Sequence, residues 1–138
     1  MPPTLGDRVI HIQDAIAAIR HILKNRTLEE FSDDLLLRVG TERLLEIISE
    51  ASRFIPEETK TAATSINWRR LADLGNQLRR AYHRIEPDNI WLIVQNDLDP
   101  LEDFVHTLVV GKIDPDRWRY STRAISKHLF PPRDFHLT

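Results

Sequence analysis

The 138-residue chain has no cysteine, which removes disulfide frameworks, thiolate metal sites and cysteine nucleophiles. That composition fits a reducing cytoplasm, and a cytoplasmic location is the expectation. No stretch reaches the roughly 20 apolar residues of a membrane span. Met1-Pro2-Pro3-Thr4 also lacks the basic segment and apolar run of a secretory leader. The reading is therefore a soluble, unprocessed protein with no membrane partner. There is no glycine-rich phosphate loop and no strand-borne nucleophile elbow. Strand-type alternation, repeats and low-complexity tracts are likewise missing. Residues 85 to 110 contain no Lys or Arg, against six Asp or Glu.

What is present is helical periodicity. The length suits one domain with a real core. Val9, Ile12, Ile16, Ile19 and Leu23 recur at steps of three and four, which predicts a first helix from about Leu5 to Asn25. Thr27-Leu28-Glu29-Glu30 has the form of a capping box before a short helical turn. A long helix is expected from Ser32 to Phe54, with Leu37, Leu44, Ile47, Ile48, Ala51 and Ile55 inward. Gly40 within it either permits a close backbone approach or marks a break. Pro56 ends that helix, Glu57 to Thr64 forms a short one, and Asn67 caps the next, from Trp68 to Arg84. Pro87 suits the first position of a further helix, where its missing amide hydrogen costs nothing. Pro100 predicts a kink or break near Asp99. The fold class is all-α, an up-and-down antiparallel bundle of about five helices over residues 1–110. An extension over 111–138 would add a helix at about 114–130 and a tail. Ala15, Ala18 and Ile22 give the first helix a second apolar side, which suggests a homodimer.

Charge is uneven although the net value is only −2. Residues 67 to 84 hold five Arg against Asp73 alone, and residues 111 to 138 hold six Lys or Arg against three Asp. A cationic surface able to meet a polyanion is one reading; arginines paired with neighbouring carboxylates is the other. In the predicted Trp68–Arg84 helix, Asn76, Arg79, Arg80 and His83 stand at i, i+3, i+4 and i+7, opposite Leu71, Leu74, Leu78, Tyr82 and, just past its end, Ile85.

Four ordered blocks carry a resemblance. They are Leu44-Leu45-Glu46-Ile47-Ile48-Ser49-Glu50-Ala51-Ser52, Ile66-Asn67-Trp68-Arg69, Leu74 to Tyr82, and Ile90-Trp91-Leu92-Ile93-Val94-Gln95-Asn96-Asp97-Leu98. Over roughly Asp7 to Leu108 the chain resembles the HepT-like toxins of the HEPN superfamily. The resemblance implies a dimeric helical bundle, an MNT-type nucleotidyltransferase antitoxin as cognate partner, RNA as ligand, and a metal-independent endoribonuclease with no cofactor. The family motif is Arg, usually Asn, then a His followed after one residue by Tyr. In that chemistry His exchanges protons with the 2′-hydroxyl or the leaving oxygen, and Arg offsets charge on the phosphate. Laid on this chain, the motif keeps Asn76 and Tyr82 but puts Gly75 at the Arg position and Arg80 at the His position.

The candidate catalytic set is therefore His83, Arg80 and Asn76, with Arg79, Arg80 and Arg84 as RNA-binding groups. Tyr82 matches the tyrosine that the nucleotidyltransferase AMPylates in similar systems, or is a core tyrosine. The alternative function is a non-cleaving dimeric scaffold or nucleotidyltransferase-binding subunit. Other constellations point to little. His11 and His21 lie on different sides of one helix and make poor joint metal ligands. Asp97, Asp99, Glu102 and Asp103 either gather a cation or form a solvated face. Trp118 and Tyr120 among Arg117, Arg119 and Arg123 either stack on bases or pack on the bundle. No metal site is expected.

Overall fold

In the computed structural model, described here for residues 4–80 and 85–109, six α-helices follow one another without a strand among the described residues. They are α1 Leu5–Ile22, α2 Leu28–Asp33, α3 Leu35–Ser52, α4 Glu57–Ala62, α5 Trp68–Arg79 and α6 Pro87–Val109. The expected all-α bundle is what forms. The predicted helix and tail after residue 111 lie outside the described residues.

Local chemistry fixes most of the helix starts. Thr4 and Asp7 form a capping box at α1, and Thr27 and Glu30 form the one foreseen at α2. Hydrogen bonds from the Thr27 amide and hydroxyl hold the Glu30 carboxyl below the usual carboxylate range. Its contribution to α2 is thus fully present above the ordinary pKa of a glutamate and lost as pH falls through the lowered one. Asn67 Oδ1 accepts from the Arg70 amide at the start of α5, as its position implied. Asp34 both ends α2 and caps α3, its Oδ1 accepting from the amides of Leu36 and Leu37. The long helix therefore starts at Leu35 rather than Ser32.

Helix α1 packs on α3 and on α6; α5 packs on α3, and α2 rests on α3 and α6. Arg8, near the start of α1, stacks on Phe54 just beyond α3, while Ile22 at the end of α1 meets Gly40 early in α3. The two helices are thus antiparallel. Ile12, Ile16 and Ile19 from α1, Leu45 and Ile48 from α3, Phe31 from α2 and Leu98, Leu101 and Val105 from α6 are fully enclosed. Ala15 and Ala18 are 0% and 6% exposed. Ala15 and Ala18 therefore pack within the bundle, where α3 and α6 cover α1 from two directions, while Ile22 stays half-buried at the end of α1.

Two other expectations need correction. α6 runs unbroken through Pro100. The lost hydrogen bond would have gone to the carbonyl of Asn96, an exposed residue. Buried Leu98 and Leu101 bracket the proline, and so do two ion-pair sites. Arg20 reaches from α1 to Asp99 and, at 3.0 Å, Glu102; Arg70 reaches from α5 to Asp97 at 3.1 Å. Packing and charge hold the helix where local propensity would break it. Asp97, Asp99 and Glu102 are thereby accounted for by arginines, and among the described residues no three His, Asp or Glu side chains gather around a cation position. No helix among the described residues is long and apolar enough to cross a membrane.

Gly40 neither breaks α3 nor serves a close approach. A Cβ added there would meet Ile22 Cδ1 at 3.7 Å, an ordinary contact. Gly40→Ala should therefore stabilise the protein by up to about 1 kcal/mol. Urea unfolding followed by circular dichroism would show a raised midpoint; a lowered one would mean that the α1–α3 contact is tighter than it is here.

Candidate nucleic-acid interface

Of the residues singled out by sequence, Gly75, Asn76, Arg79 and Arg80 lie at the C-terminal end of α5, and the geometry there is set by one contact. Gly75 is buried against Ser49 of α3: a Cβ added to Gly75 would lie 2.0 Å from Ser49 Oγ and 2.6 Å from Ser49 Cβ. No side-chain rotation removes the second overlap. Ser49 is itself 1% exposed, and its Oγ has no hydrogen-bond partner among the described residues. The helices touch backbone to side chain, at a distance only glycine allows.

The missing side chain leaves room that Arg79 takes. Its guanidinium folds back one turn, so that Nη1 lies 3.6 Å from the position a residue-75 Cβ would hold. Nη2 donates to Asn76 Oδ1 at 2.6 Å and Nη1 to Glu50 Oε2 at 3.3 Å. Glu50 also faces Arg53 at 3.7 Å. Asn76 and Arg79 are thus brought together, as i and i+3 neighbours should be, and are tied to α3 through Glu50.

Arg80 is placed differently from the sequence expectation. The helix ends at Arg79, and Arg80 is its C-cap, with φ −89° and ψ 78°. Its amide donates to the carbonyls of Asn76 and Gln77 at 3.2 Å, while its exposed side chain makes no ion pair with any described residue. The helix thus stops short of the predicted end, and residues 81–84 lie outside the described residues. Arg80 therefore leaves the helical face it was expected to share with Asn76 and Arg79. Tyr82, His83 and Arg84 lie outside the described residues.

Beside Arg79 opens a groove of about 330 Å³ between α1, α3 and α5, lined by Arg8, His11, Arg43, Glu46, Glu50 and Arg79 among others. Sequence reasoning did not assemble this group. The signal was available only in pieces: Arg8 and His11 are three apart on α1, and Arg43, Glu46 and Glu50 share one face of α3. Nothing in either spacing says that the two faces meet. His11, weighed by sequence only against His21, faces this groove, while His21 is exposed elsewhere on α1.

Residues 12–108 match the family described as Ribonuclease HepT-like. The chain is 31% identical over 96 residues to a probable ribonuclease HepT of Thermococcus cleftensis, in an alignment that covers 70% of this chain and 87% of the relative. It is 32% identical over 73 residues to a candidate RNase of Methanocaldococcus jannaschii, covering 53% of this chain and 67% of that protein. A third relative, from Caldanaerobacter subterraneus and also described as a candidate RNase, is 25% identical over 99 residues, covering 72% and 88%. No solved structure matches the chain.

The contact at residue 75 makes a direct stability prediction. Gly75→Ala must push α5 away from α3 and should cost a net of about 1–3 kcal/mol, as overpacking does, although alanine is the better helix former. Gly75→Arg meets the same obstacle. Ser49→Gly in the Gly75→Ala background should recover much of the loss, and a double-mutant cycle by chemical denaturation measures it. Additivity of the two changes would show that the contact is looser than described.

Proposed function

We propose, on the premise that this chain belongs to the HepT-like ribonuclease family, that it is the toxin component of a pair with an MNT-type nucleotidyltransferase antitoxin. In this reading it is a metal-independent endoribonuclease that binds RNA in a cleft between two copies, near the end of α5. The single observation that supports the reading is the position of Arg79. The motif's arginine is missing from residue 75, but the Arg79 guanidinium packs 3.6 Å from where a Cβ of residue 75 would lie and bonds to the retained Asn76.

In such a site the 2′-oxygen attacks the adjacent phosphorus and the P–O5′ bond breaks. A base takes the 2′ proton, an acid returns one to O5′, and the products are a 2′,3′-cyclic phosphate and a 5′-hydroxyl. Arg79 would offset the charge that develops on the non-bridging oxygens. Arg80 cannot act as the base, since a guanidinium stays protonated at neutral pH. His83 is the residue assigned to proton transfer. Arg80 and Arg84 would contact flanking phosphates. Tyr82, in register with the motif, is the hydroxyl assigned to AMPylation by the partner.

One observation favours a second reading, a non-cleaving dimeric scaffold or nucleotidyltransferase-binding subunit. The Gly75–Ser49 contact leaves no space for the motif arginine, so the site is built around its loss. Incubation of the purified chain with cellular RNA in EDTA separates the two. The ribonuclease reading expects cleavage by the wild type and at least a roughly 100-fold loss in Arg79→Ala, the scale for removal of one charge-stabilising donor. It expects a comparable loss in His83→Ala. An inactive wild type that still co-purifies with the nucleotidyltransferase would leave the scaffold reading in its place.

A further inference from the structure

Of the arginines around the groove between α1, α3 and α5, one makes no ion pair with a carboxylate among the described residues. Arg43 pairs with Glu46 at 3.5 Å, and Arg79 with Glu50 at 3.3 Å. Arg8 instead lies over the ring of Phe54, its guanidinium carbon 3.7 Å from the ring centroid. Its Nε is buried with no hydrogen-bond acceptor among the described residues. Stacking fixes the guanidinium plane while leaving the in-plane donors unused. Phe54 is itself 52% exposed although it is a large apolar side chain at the end of a helix. Its contact with Arg8 gives that exposure a purpose.

The lining residues carry three arginine charges against two glutamates, an excess of one before His11 is counted. That balance suits the single charge of a phosphodiester better than a dianion. A groove of about 330 Å³ is at the small end of ligand sites, which run from about 300 to 1,000 Å³. It has room for one nucleotide unit of a chain that continues into solvent. Glu46 and Glu50 do not oppose such a ligand outright, because each is neutralised by an arginine within 3.5 Å.

We infer that this groove is a second RNA-binding site, which takes a backbone phosphodiester on Arg8 and Arg43, with Arg8 held in position by Phe54. The inference rests on the reading of the chain as an RNA-binding protein. It extends the contact surface from the end of α5 across α3 to α1, to residues the family motif does not include. Arg79 stands at the junction, so one RNA strand would pass from the motif region into the groove. Arg8 and Arg43 act as binding groups and Phe54 as a positioning residue.

The test uses the full chain and a fluorescein-labelled 2′-O-methyl RNA dodecamer, which cannot be cleaved through its 2′ position, with fluorescence anisotropy at several salt concentrations. Arg8→Gln should weaken binding by about 10-fold and flatten the salt dependence by about one phosphate contact. Phe54→Leu should weaken it less, and Arg8→Lys, which keeps the charge but loses the planar stack, should fall between. Arg43→Gln, at a side chain 61% exposed, reports on the same groove without disturbing the core and should also weaken binding. Arg69→Gln removes a charge from the opposite end of α5, about 15 Å along the helix, and should change affinity less than 2-fold. If the wild type binds and both Arg8→Gln and Arg43→Gln match Arg69→Gln, the groove is overturned while RNA binding stands. If the wild type does not bind the dodecamer at all, both fall together.

Discussion

The approach of α5 to α3 at Gly75 governs the rest of the site. With any side chain at residue 75 the two helices could not touch at Ser49, and everything measured from that contact would move outward. Glu50 would lose its reach to Arg79, since a pairing distance of 3.3 Å leaves little slack. The groove would lose its α5 wall, because Arg79 is the residue through which α5 lines it. A single absent Cβ therefore sets the distance between helices, the direction of an arginine and the depth of the depression beside it. At the same contact the buried Ser49 hydroxyl has no partner among the described residues. An unsatisfied buried hydroxyl costs on the order of 1–3 kcal/mol.

Charge in this protein is better understood by partners than by totals. The six acids between residues 85 and 110 look like a repulsive block in the sequence, yet Asp97, Asp99 and Glu102 each face an arginine from another helix. Those pairs are partly exposed, and each contributes little on its own. Their placement on both sides of Pro100 matters more than their strength, since they hold α6 across a missing hydrogen bond. The same pairing lowers the potential that the arginine-rich stretch would otherwise project. Arg70 and Arg79 are bound to carboxylates, whereas Arg8 and Arg80 make no ion pair with a described residue. A local excess of positive charge counted along the chain thus overstates the cation available near α5 and misses the one on α1.

Much of this architecture is legible without coordinates. The Thr27–Glu30 box, the Asn67 cap and Pro87 at the first turn of α6 are local signals, and each is satisfied by atoms within a few residues. The stripe from Val9 to Leu23 is equally plain, because burial of one helix face leaves a period of 3.6. Legibility fails where a neighbour decides. Ala15 and Ala18 read as a spare apolar side because sequence does not say that α1 is covered twice. Pro100 reads as a break because the side chains that hold the helix come from residues 20 and 70. Gly75 reads as the simple loss of a motif arginine; only the position of Ser49 shows that the glycine has a structural requirement of its own. The groove is the extreme case, since its lining comes from three helices and no segment contains more than three of its charged members.

The displaced guanidinium differs in kind from one that projects into solvent. Arginine has five N–H donors. Arg79 spends one on Glu50 and one on Asn76, which leaves Nε–H and one hydrogen on each terminal nitrogen. That remainder still forms a fork able to meet two phosphate oxygens. Glu50 offsets part of the positive charge, which weakens long-range attraction for RNA, but the two tethers remove most of the rotamer freedom that a phosphate would otherwise have to freeze. An exposed arginine attracts an anion from farther away; a tethered one gives up less entropy when the anion arrives. For stabilising charge that exists only in a transition state, the second property is the more useful, because donors already aimed need not reorganise when the charge develops. Under the proposed function the attraction itself comes from arginines without a carboxylate partner among the described residues, Arg80 beside the helix end and Arg8 across the groove. In that reading the fold divides between different side chains two tasks that one projecting arginine would have to combine.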